Sequence, residues 1–128
     1  MPELPEVETT CRGISWILIS KAVTGGIVYE RRLRYEVEAD LPKKLIGKTL
    51  RKINRRGKYI IMYFDKGALI IHLGMSGSLR VLEKNKEKRK HDHIEICFGN
   101  LILRYHDPRR FGSFTWTNNN PYEHQLLK

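Results

Sequence analysis

The stretch HIEICFGNLILRYH, residues 93–106, carries two short alternating runs of apolar residues around a central Gly99-Asn100 pair. Alternate residues of a β-strand point to the same face, so each run predicts a strand with one buried face. A Gly-Asn pair between two such runs is typical of a tight hairpin. The sequence therefore predicts an antiparallel hairpin of strands 93–98 and 101–106. The apolar residues expected on the buried faces are Ile94, Ile96, Phe98, Leu101, Leu103 and Tyr105.

Short β-type runs separated by turn residues continue on both sides of this hairpin. The run 59–64 is apolar almost throughout, which predicts a strand covered on both faces or at the centre of a sheet. Further strands are predicted at residues 22–30, 50–56, 58–64, 68–73, 78–82 and 113–117. With the hairpin this makes about eight strands. The predicted fold is therefore mainly β with helices (α+β), as an antiparallel β-sandwich or a flattened barrel.

Helical patterns occur mainly at the start of the sequence. Val7, Cys11, Ile14 and Leu18 recur every three or four residues, which predicts a long amphipathic helix over residues 3–20. A short helix is predicted at residues 41–46, between Asp40 and Gly47. A linker-type segment, Thr-Asn-Asn-Asn-Pro, ends at residue 121, and a helical pattern begins after it.

The composition indicates a polyanionic partner. The chain of 128 residues has a formal net charge of +10, from 24 Lys and Arg against 14 Asp and Glu. Such an excess favours attraction to nucleic acid or to an anionic membrane surface, although it also serves solubility alone. The basic run KNKEKRK, residues 84–90, is expected to be a solvated loop.

Other bulk features exclude several classes of protein. No apolar run is long enough to span a bilayer, and the acidic N-terminus is unlike a signal peptide. Cys11 and Cys97 are far apart in the sequence. They fit two buried thiols in a reducing cytoplasm better than a disulfide framework, and they cannot form a four-cysteine zinc site.

The first residues, MPELPEVE, permit two interpretations. Proline in the first helical turn and acids near the positive end of the helix dipole are stabilising, so helix initiation alone explains the pattern. If Met1 is removed, however, Pro2 presents a secondary amine with an ordinary pKa of about 8, part of which is nucleophilic at neutral pH. Its adduct with a sugar carbon is a cationic iminium, and a carboxylate one or four residues on, Glu3 or Glu6, can move the protons of an elimination.

Two glycine-containing stretches suit contact with nucleic acid. Gly57-Lys58 stands at the start of a predicted strand, where a lysine contacts phosphate or is simply a solvated edge residue. The stretch HLGMSG begins at His72 and places Met75 in a tight loop. Met75 is then either an outward apolar side chain or core filler.

The stretch DPRRFG, residues 107–112, is a turn with Arg109, Arg110 and Phe111 at its tip. An arginine beside an apolar wedge is what a protein uses to enter a base stack and fill the space left by a flipped nucleotide. The alternative is a buried Phe111 flanked by surface arginines.

Four of these stretches together resemble the N-terminal half of bacterial formamidopyrimidine-DNA glycosylases. They are MPELPEVET, GKY at residues 57–59, HLGMSG at 72–77 and DPRRFG at 107–112, in matching order and spacing. The PELPE start resembles the N-terminal sequence of this family rather than that of endonuclease VIII, which tends to begin PEGPE. The resemblance implies a bifunctional base-excision repair enzyme. Such an enzyme removes oxidised purines, 8-oxoguanine and formamidopyrimidines, from double-stranded DNA and cuts the abasic strand by β- and δ-elimination.

The resemblance also implies roles for the residues at the chain start. Pro2 would attack sugar C1′ and form a Schiff base, Glu3 would be the general acid and base at the sugar ring, and Glu6 would lie beside them. Lys58 would act with this group by binding a phosphate that flanks the lesion.

For the remaining motif residues the resemblance implies contacts with DNA. His72 would bind a second flanking phosphate. Met75, Arg109 and Phe111 would fill the void in the duplex and stack on or read the opposite base, expected to be cytosine.

Members of this family have a second domain with a helix–two-turn–helix motif and a four-cysteine zinc finger. The resemblance therefore implies a catalytic β-sandwich domain over residues 1–120 and a linker to the absent domain at residues 121–128. We expect a cytoplasmic bacterial monomer without a membrane partner, with no cofactor in this fragment and a structural zinc only in the second domain. Because that domain forms one wall of the DNA cleft, we expect little or no glycosylase activity from this chain alone.

Two other functions fit parts of the pattern. A non-catalytic basic β-domain would bind nucleic acid through its charge and would give the N-terminus no chemistry. A tautomerase-like enzyme would use an N-terminal proline as a general base on small keto acids. It needs a compact βαβ unit, against which eight strands and a basic surface argue.

Overall fold

The computed structural model of the chain describes residues 3–121 and 124–127. Within these residues the chain forms two α-helices and eight strands before a short 3₁₀ turn at Gln125–Leu127. The elements are α1 (Leu4–Leu18), β1 (Gly25–Val28), α2 (Leu41–Leu45), β2 (Leu50–Arg56), β3 (Tyr59–Phe64), β4 (Ala68–His72), β5 (Ser78–Glu83), β6 (Asp92–Phe98), β7 (Leu101–His106) and β8 (Ser113–Thr117).

The strands form two four-stranded sheets, in the orders β1-β6-β7-β5 and β2-β3-β4-β8. Each strand pairing in the described ranges is antiparallel. The predicted α+β sandwich is confirmed, and residues 3–121 contain no βαβ unit of the kind that a tautomerase needs. No helix of the described chain is both long and apolar enough to cross a membrane.

The main core lies between the two sheets, and β3 is covered on both faces as predicted. Ile60 and Met62 point into the main core, whereas Ile61 packs in a second cluster with Ile70 and Leu127. The segment after β8 therefore covers the outer face of the β2-β3-β4-β8 sheet. Full burial of such side chains contributes roughly 1.5–3 kcal/mol each.

Helix α1 packs against β2 and β5, which are edge strands of the two different sheets. Its buried residues are the four that the spacing predicts, Val7, Cys11, Ile14 and Leu18. The helix is shorter than the predicted 3–20. It ends at Leu18, and Ser20 adopts a positive φ of 73° that no helix continues through.

Strand β1 is also shorter than the predicted 22–30. Ala22 forms only an isolated bridge to Thr49. At the other end the N–H groups of Tyr29 and Glu30 both donate to the carbonyl of His93, at 2.8 and 3.3 Å, so the regular ladder stops. Gly26 sits inside the strand because a Cβ there would lie 2.8 Å from the Glu95 carbonyl.

The prediction of a single buried face is wrong for both hairpin strands, because Ile102 and Arg104 are buried on the other face of residues 101–106. Ile94 and Ile96 face the core as expected, but Glu95 on the opposite face is buried too. Arg104 Nε donates to Glu95 at 2.8 Å, and the other guanidinium nitrogens donate to the carbonyls of Lys86 and Glu87. The backbone of the 84–90 loop thus covers this face, while the side chains of that loop stay exposed.

Candidate functional site

The start of α1 holds the carboxylates that the sequence assigns to chemistry. Pro2 itself lies outside the described residues. Glu3 is the N-cap residue, and its carbonyl accepts the Val7 N–H at 3.0 Å, without a side-chain capping hydrogen bond. The side chains of Glu3 and Glu6 are both exposed at the positive end of the helix. Their oxygens are therefore accessible to a substrate at the first turn.

Arg55 links this helix to the turn that carries Lys58. Its Nε donates to the carboxylate of Glu8 at 2.9 Å, and its Nη1 donates to the Gly57 carbonyl at 2.8 Å. The half-buried Lys58 is therefore held near the first turns of α1. Sequence reasoning saw only the basic run RKINRR and did not single out Arg55.

His72 ends β4 opposite Tyr59 of β3, and the two rings meet edge to face at 4.8 Å. Its Nδ1 accepts the N–H of Gly74 at 2.9 Å. Burial, with the nearby charges of Arg34 and Lys58, lowers the pKa of His72 below its usual 6.5. The ring is therefore neutral at pH 7 with its proton on Nε2, which leaves one N–H donor for a ligand.

A polar pocket of about 210 Å³ opens beside His72. It is lined by Arg34, Tyr35, Tyr59, His72 and Ser113. The backbone N–H of Arg34 donates to the Gly112 carbonyl at 3.0 Å, so the pocket is joined to the DPRRFG stretch. No local sequence pattern marks Arg34, because its position in space depends on a contact across 78 residues.

Two loops pack side by side at the ends of β4 and β7. We call residues 73–77 the Met75 loop and residues 107–112 the Phe111 loop. Met75 is 46% exposed and Phe111 is 44% exposed, which excludes the alternative that either is a core side chain. The guanidinium of Arg109 lies 4.9 Å from the centre of the Phe111 ring. Three side chains suited to entering a base stack are thus presented by adjoining loops.

The two arginines of the Phe111 loop have different surroundings. The guanidinium of Arg109 lies over the Phe111 ring. Arg110 has a positive φ of 58° and approaches the carboxylate of Glu30 at 3.7 Å. Because Arg110 has a left-handed backbone conformation, its side chain points in a different direction from that of Arg109. Only Arg109 therefore lies on the same surface as Phe111.

Asp107 connects the two loops from beneath and is completely buried. Its Oδ1 accepts the hydroxyl of Ser76 in the Met75 loop at 2.7 Å. Its Oδ2 accepts the hydroxyl of Tyr105 at 2.6 Å and the N–H of Gly112 at 3.0 Å. Ser76 in turn accepts the N–H of Arg109 at 3.1 Å. Sequence reasoning treated Asp107 as the start of a turn and missed these contacts.

Hydrogen bonding keeps Asp107 ionised. Burial alone would raise the pKa of its carboxyl, but the bonds from Ser76, Tyr105 and Gly112 outweigh burial and lower the pKa below its usual 3.8. Burial and the bond to Asp107 raise the pKa of Tyr105, so its hydroxyl remains a donor. The loops are therefore joined by an ionised carboxylate at any pH near neutral.

Metal binding has no support within residues 3–121 and 124–127. No group of three or more His, Cys, Asp or Glu side chains among them could hold a metal ion. The zinc expected from the resemblance concerns a second domain and stays a prediction.

Comparison with known proteins identifies the family. The profile of the formamidopyrimidine-DNA glycosylase N-terminal domain matches residues 1–114. The chain belongs to this family. Formamidopyrimidine-DNA glycosylases from Methylococcus capsulatus and Saccharophagus degradans are 52% and 54% identical to it over 128 residues. Each alignment covers 99% of this chain but 47% of the relative, so the chain spans about half the length of the relatives it matches.

Solved structures of the formamidopyrimidine-DNA glycosylase family have the same fold. The Lactococcus lactis Fpg in complex with DNA containing an abasic site aligns with a TM-score of 0.85 at 35% identity. That alignment covers 92% of this chain and 45% of the other. A complex of the Lactococcus lactis protein with DNA containing FAPY-dG aligns with a TM-score of 0.84. The two-sheet sandwich with its N-terminal helix is thus the architecture of the family's N-terminal domain.

Proposed function

We propose that this chain is the catalytic N-terminal domain of a base-excision repair glycosylase. Its substrate is double-stranded DNA that contains an oxidised purine, 8-oxoguanine or a formamidopyrimidine. The same site then cleaves the abasic strand as a lyase. Residues 1–120 form this domain, and residues 121–128 begin the connection to the second half that full-length relatives carry.

The proposed chemistry uses Pro2 as the nucleophile after removal of Met1. The amine lone pair attacks C1′ while the bond from C1′ to the base breaks, and the base leaves with the proton that the amine loses. Glu3 protonates the ring oxygen as the sugar opens, which gives an iminium cation at C1′ without any further proton. Loss of the C2′ proton expels the 3′ phosphate, and loss of the C4′ proton then expels the 5′ phosphate.

One observation carries the proposal: Met75, Arg109 and Phe111 are exposed on adjoining loops beside the basic His72 pocket. A protein that turns a nucleotide out of a duplex must fill the space that remains, and an apolar wedge with an arginine does this. Lys58 lies close enough to His72 for its charge to lower the pKa of that ring, and both side chains suit phosphates that flank the lesion. The net charge of +10 adds attraction to the duplex as a whole.

The test is covalent trapping with borohydride on a duplex that contains an abasic site. The chain is examined alone and in a chimera, in which it replaces the matching half of the Methylococcus capsulatus relative. We expect the chimera to form an adduct that peptide mass mapping locates on the Pro2 nitrogen, and the chain alone to form little. Mass spectrometry should show that Met1 is absent from the mature chain.

A chimera that binds DNA but forms no adduct would contradict the proposal. It would favour the non-catalytic nucleic-acid-binding domain, which shares the charge but gives the chain start no chemistry. An adduct that maps to a lysine, rather than to the Pro2 nitrogen, would assign the nucleophile to another amine.

A further inference from the structure

We propose that Asp107 is a positioning residue that couples the Met75 loop to the Phe111 loop, so that the three wedge side chains enter DNA as one rigid unit. This proposal rests on the proposed function for its role in DNA, but the coupling itself is a property of the free chain. Asp107 does not touch the solvent, so it acts only through the loops that it joins.

The first support is the distribution of hydrogen bonds around the carboxylate. One oxygen binds Ser76 of the Met75 loop, and the other binds the N–H of Gly112 at the end of the Phe111 loop. Ser76 also accepts the Arg109 N–H, which closes a ring of contacts through both loops. Neither loop can move away without breaking a hydrogen bond to a buried charged group, which is among the stronger kinds.

The second support is the lack of space between the loops. A Cβ on Gly74 would lie 2.6 Å from the N of Gly112, and a Cβ on Gly77 would lie 2.8 Å from the Tyr105 hydroxyl. A Cβ on Gly112 would lie only 1.8 Å from that hydroxyl. Glycines therefore bring the two backbones into direct contact around the Tyr105–Asp107 pair.

The third support is the anchoring of Asp107 to the sheet. Its N–H donates to the His91 carbonyl at 3.0 Å, and His93 Nε2–H donates to its carbonyl at 2.7 Å. The carboxylate is thus fixed relative to the β6–β7 pair rather than carried by a mobile loop. Side chains preorganised in this way lose less entropy when DNA orders them.

An amide would keep the shape of the carboxylate but not its charge. Asp107 accepts three hydrogen bonds and donates none through its side chain. In Asp107→Asn, an NH₂ group would face either the Ser76 hydroxyl or the Gly112 N–H and the Tyr105 hydroxyl. Because this variant alters every hydrogen bond of the carboxylate, the decisive change is Ser76→Ala. It removes the two hydrogen bonds that Ser76 makes to the Phe111 loop region and leaves those from Tyr105 and Gly112 to Asp107 in place.

The coupling is tested first without DNA, by amide hydrogen exchange of the 128-residue chain. Gly77 N–H, which donates to the Leu73 carbonyl, reports on the Met75 loop, and Gly112 N–H, which donates to Asp107, reports on the Phe111 loop. We expect these amides to open together in the wild type, and Ser76→Ala to lower the protection of all of them by about tenfold. Amides of the two loops that open independently in the wild type would overturn the proposal.

The role in DNA is tested with two duplexes of the same sequence at low salt. One is undamaged, and the other contains a tetrahydrofuran abasic-site analogue opposite 2-aminopurine, whose fluorescence reports on stacking. Ser76→Ala should lower the affinity for the damaged duplex by about tenfold and reduce the fluorescence response, while affinity for the undamaged duplex is unchanged. A merely structural loss would weaken binding of both duplexes equally.

Thr24→Ala is the matched control, because Thr24 also bridges two backbone groups, Gly99 N–H and the Cys97 carbonyl, at the opposite end of β6 and β7. It should change neither the exchange of the loops nor the preference for the damaged duplex. Equal effects of Thr24→Ala and Ser76→Ala, or an unchanged preference in Ser76→Ala, would overturn the role of Asp107. The DNA measurements use the chimera, and a wild-type chimera that has coupled loops but no preference for the damaged duplex would instead contradict the proposed function.

Discussion

Glu3 at the start of α1 and Asp107 between the two loops are both carboxylates beside the proposed DNA surface, yet Glu3 is exposed and Asp107 is completely buried. Glu3 is held through its backbone, by the hydrogen bond from Val7 N–H to its carbonyl. Asp107 uses both side-chain oxygens within the protein. The difference separates a group whose oxygens are available to a substrate from one whose oxygens fix other residues in place.

The same contrast applies to the two regions as a whole. The helix start exposes its acids, and the paired loops expose only their wedge side chains above a buried polar centre. Proton transfer needs an accessible carboxylate within reach of the reacting atom, whereas insertion into DNA needs a rigid support. Substitutions at the helix start should therefore reduce proton transfer, whereas substitutions in the paired loops should reduce the rigidity of the support.

The largest effect is expected from Glu3→Gln in the chimera. The amide cannot transfer a proton, so base excision should fall by about 10²–10⁴-fold, while DNA affinity changes little. Single-turnover excision of 8-oxoguanine and a binding isotherm measure the two quantities. Glu83→Gln, at an exposed carboxylate that ends β5, is the control and should leave both unchanged. An unaltered excision rate in Glu3→Gln would remove Glu3 from its proposed role.

Gly112→Ala should cause the largest loss of stability in the paired loops. Its Cβ would lie 1.8 Å from the Tyr105 hydroxyl and 2.5 Å from the His72 carbonyl, so the loop must shift. We expect the free energy of unfolding to fall by about 3 kcal/mol, measured by urea denaturation. A loss below about 1 kcal/mol would mean that the loop contact relaxes easily.

The contribution of Asp107 should depend on pH. Because the pKa of Asp107 is lowered in the folded chain, its stabilisation is complete above the usual value of 3.8 and is lost as the pH falls through the folded pKa. Near neutral pH, Asp107→Asn should therefore cost about 2 kcal/mol of unfolding free energy. The difference in unfolding free energy between the wild type and Asp107→Asn should shrink below pH 3.8. A difference in unfolding free energy that stays constant below pH 3.8 would show that the charge of the carboxylate is irrelevant.

Lys58 and His72, the two residues proposed to bind phosphate, should contribute differently to the salt dependence of DNA affinity. Lys58→Met removes a charge, so the slope of log affinity against log salt should decrease by about 0.9. His72→Asn should lower affinity with little change in slope, because the His72 ring is neutral and donates from Nε2. Titrations at several salt concentrations compare them. Equal changes of slope would indicate that His72 binds DNA as a cation.

The smallest effect is expected at Gly13 on the exposed side of α1. A Cβ there meets nothing within 4 Å, and its backbone is helical. Gly13→Ala should therefore raise the free energy of unfolding by about 0.5–1 kcal/mol. This variant is the counterpart of Gly112→Ala, and a destabilised Gly13→Ala would indicate a close neighbour on that side of the helix.

The sequence predicted elements where the pattern is local. Strands β2, β7 and β8 have the predicted bounds, because alternation and turn residues stand next to each other in the chain. The burial of Glu95 was missed, since its partner Arg104 follows nine residues later on the next strand and a charged residue reads as exposed.

The site was predicted as a set of residues but not as a structure. The resemblance selected Met75, Arg109 and Phe111, and the structure shows that they are exposed on adjoining loops. Asp107 and Arg34 were not selected, because their contacts join positions far apart in the sequence. An Asp-Pro pair has the same local signature in any turn, so only tertiary structure distinguishes this one.

The hydrogen bond between Ser76 and Asp107 joins positions that are 31 residues apart in the chain. We therefore expect these two positions to change together during evolution. A lineage that replaces Ser76 loses the donor that its Asp107 requires, and a bulkier residue at Gly112 demands a smaller one at Tyr105. Among relatives, substitutions at these four positions should therefore be correlated.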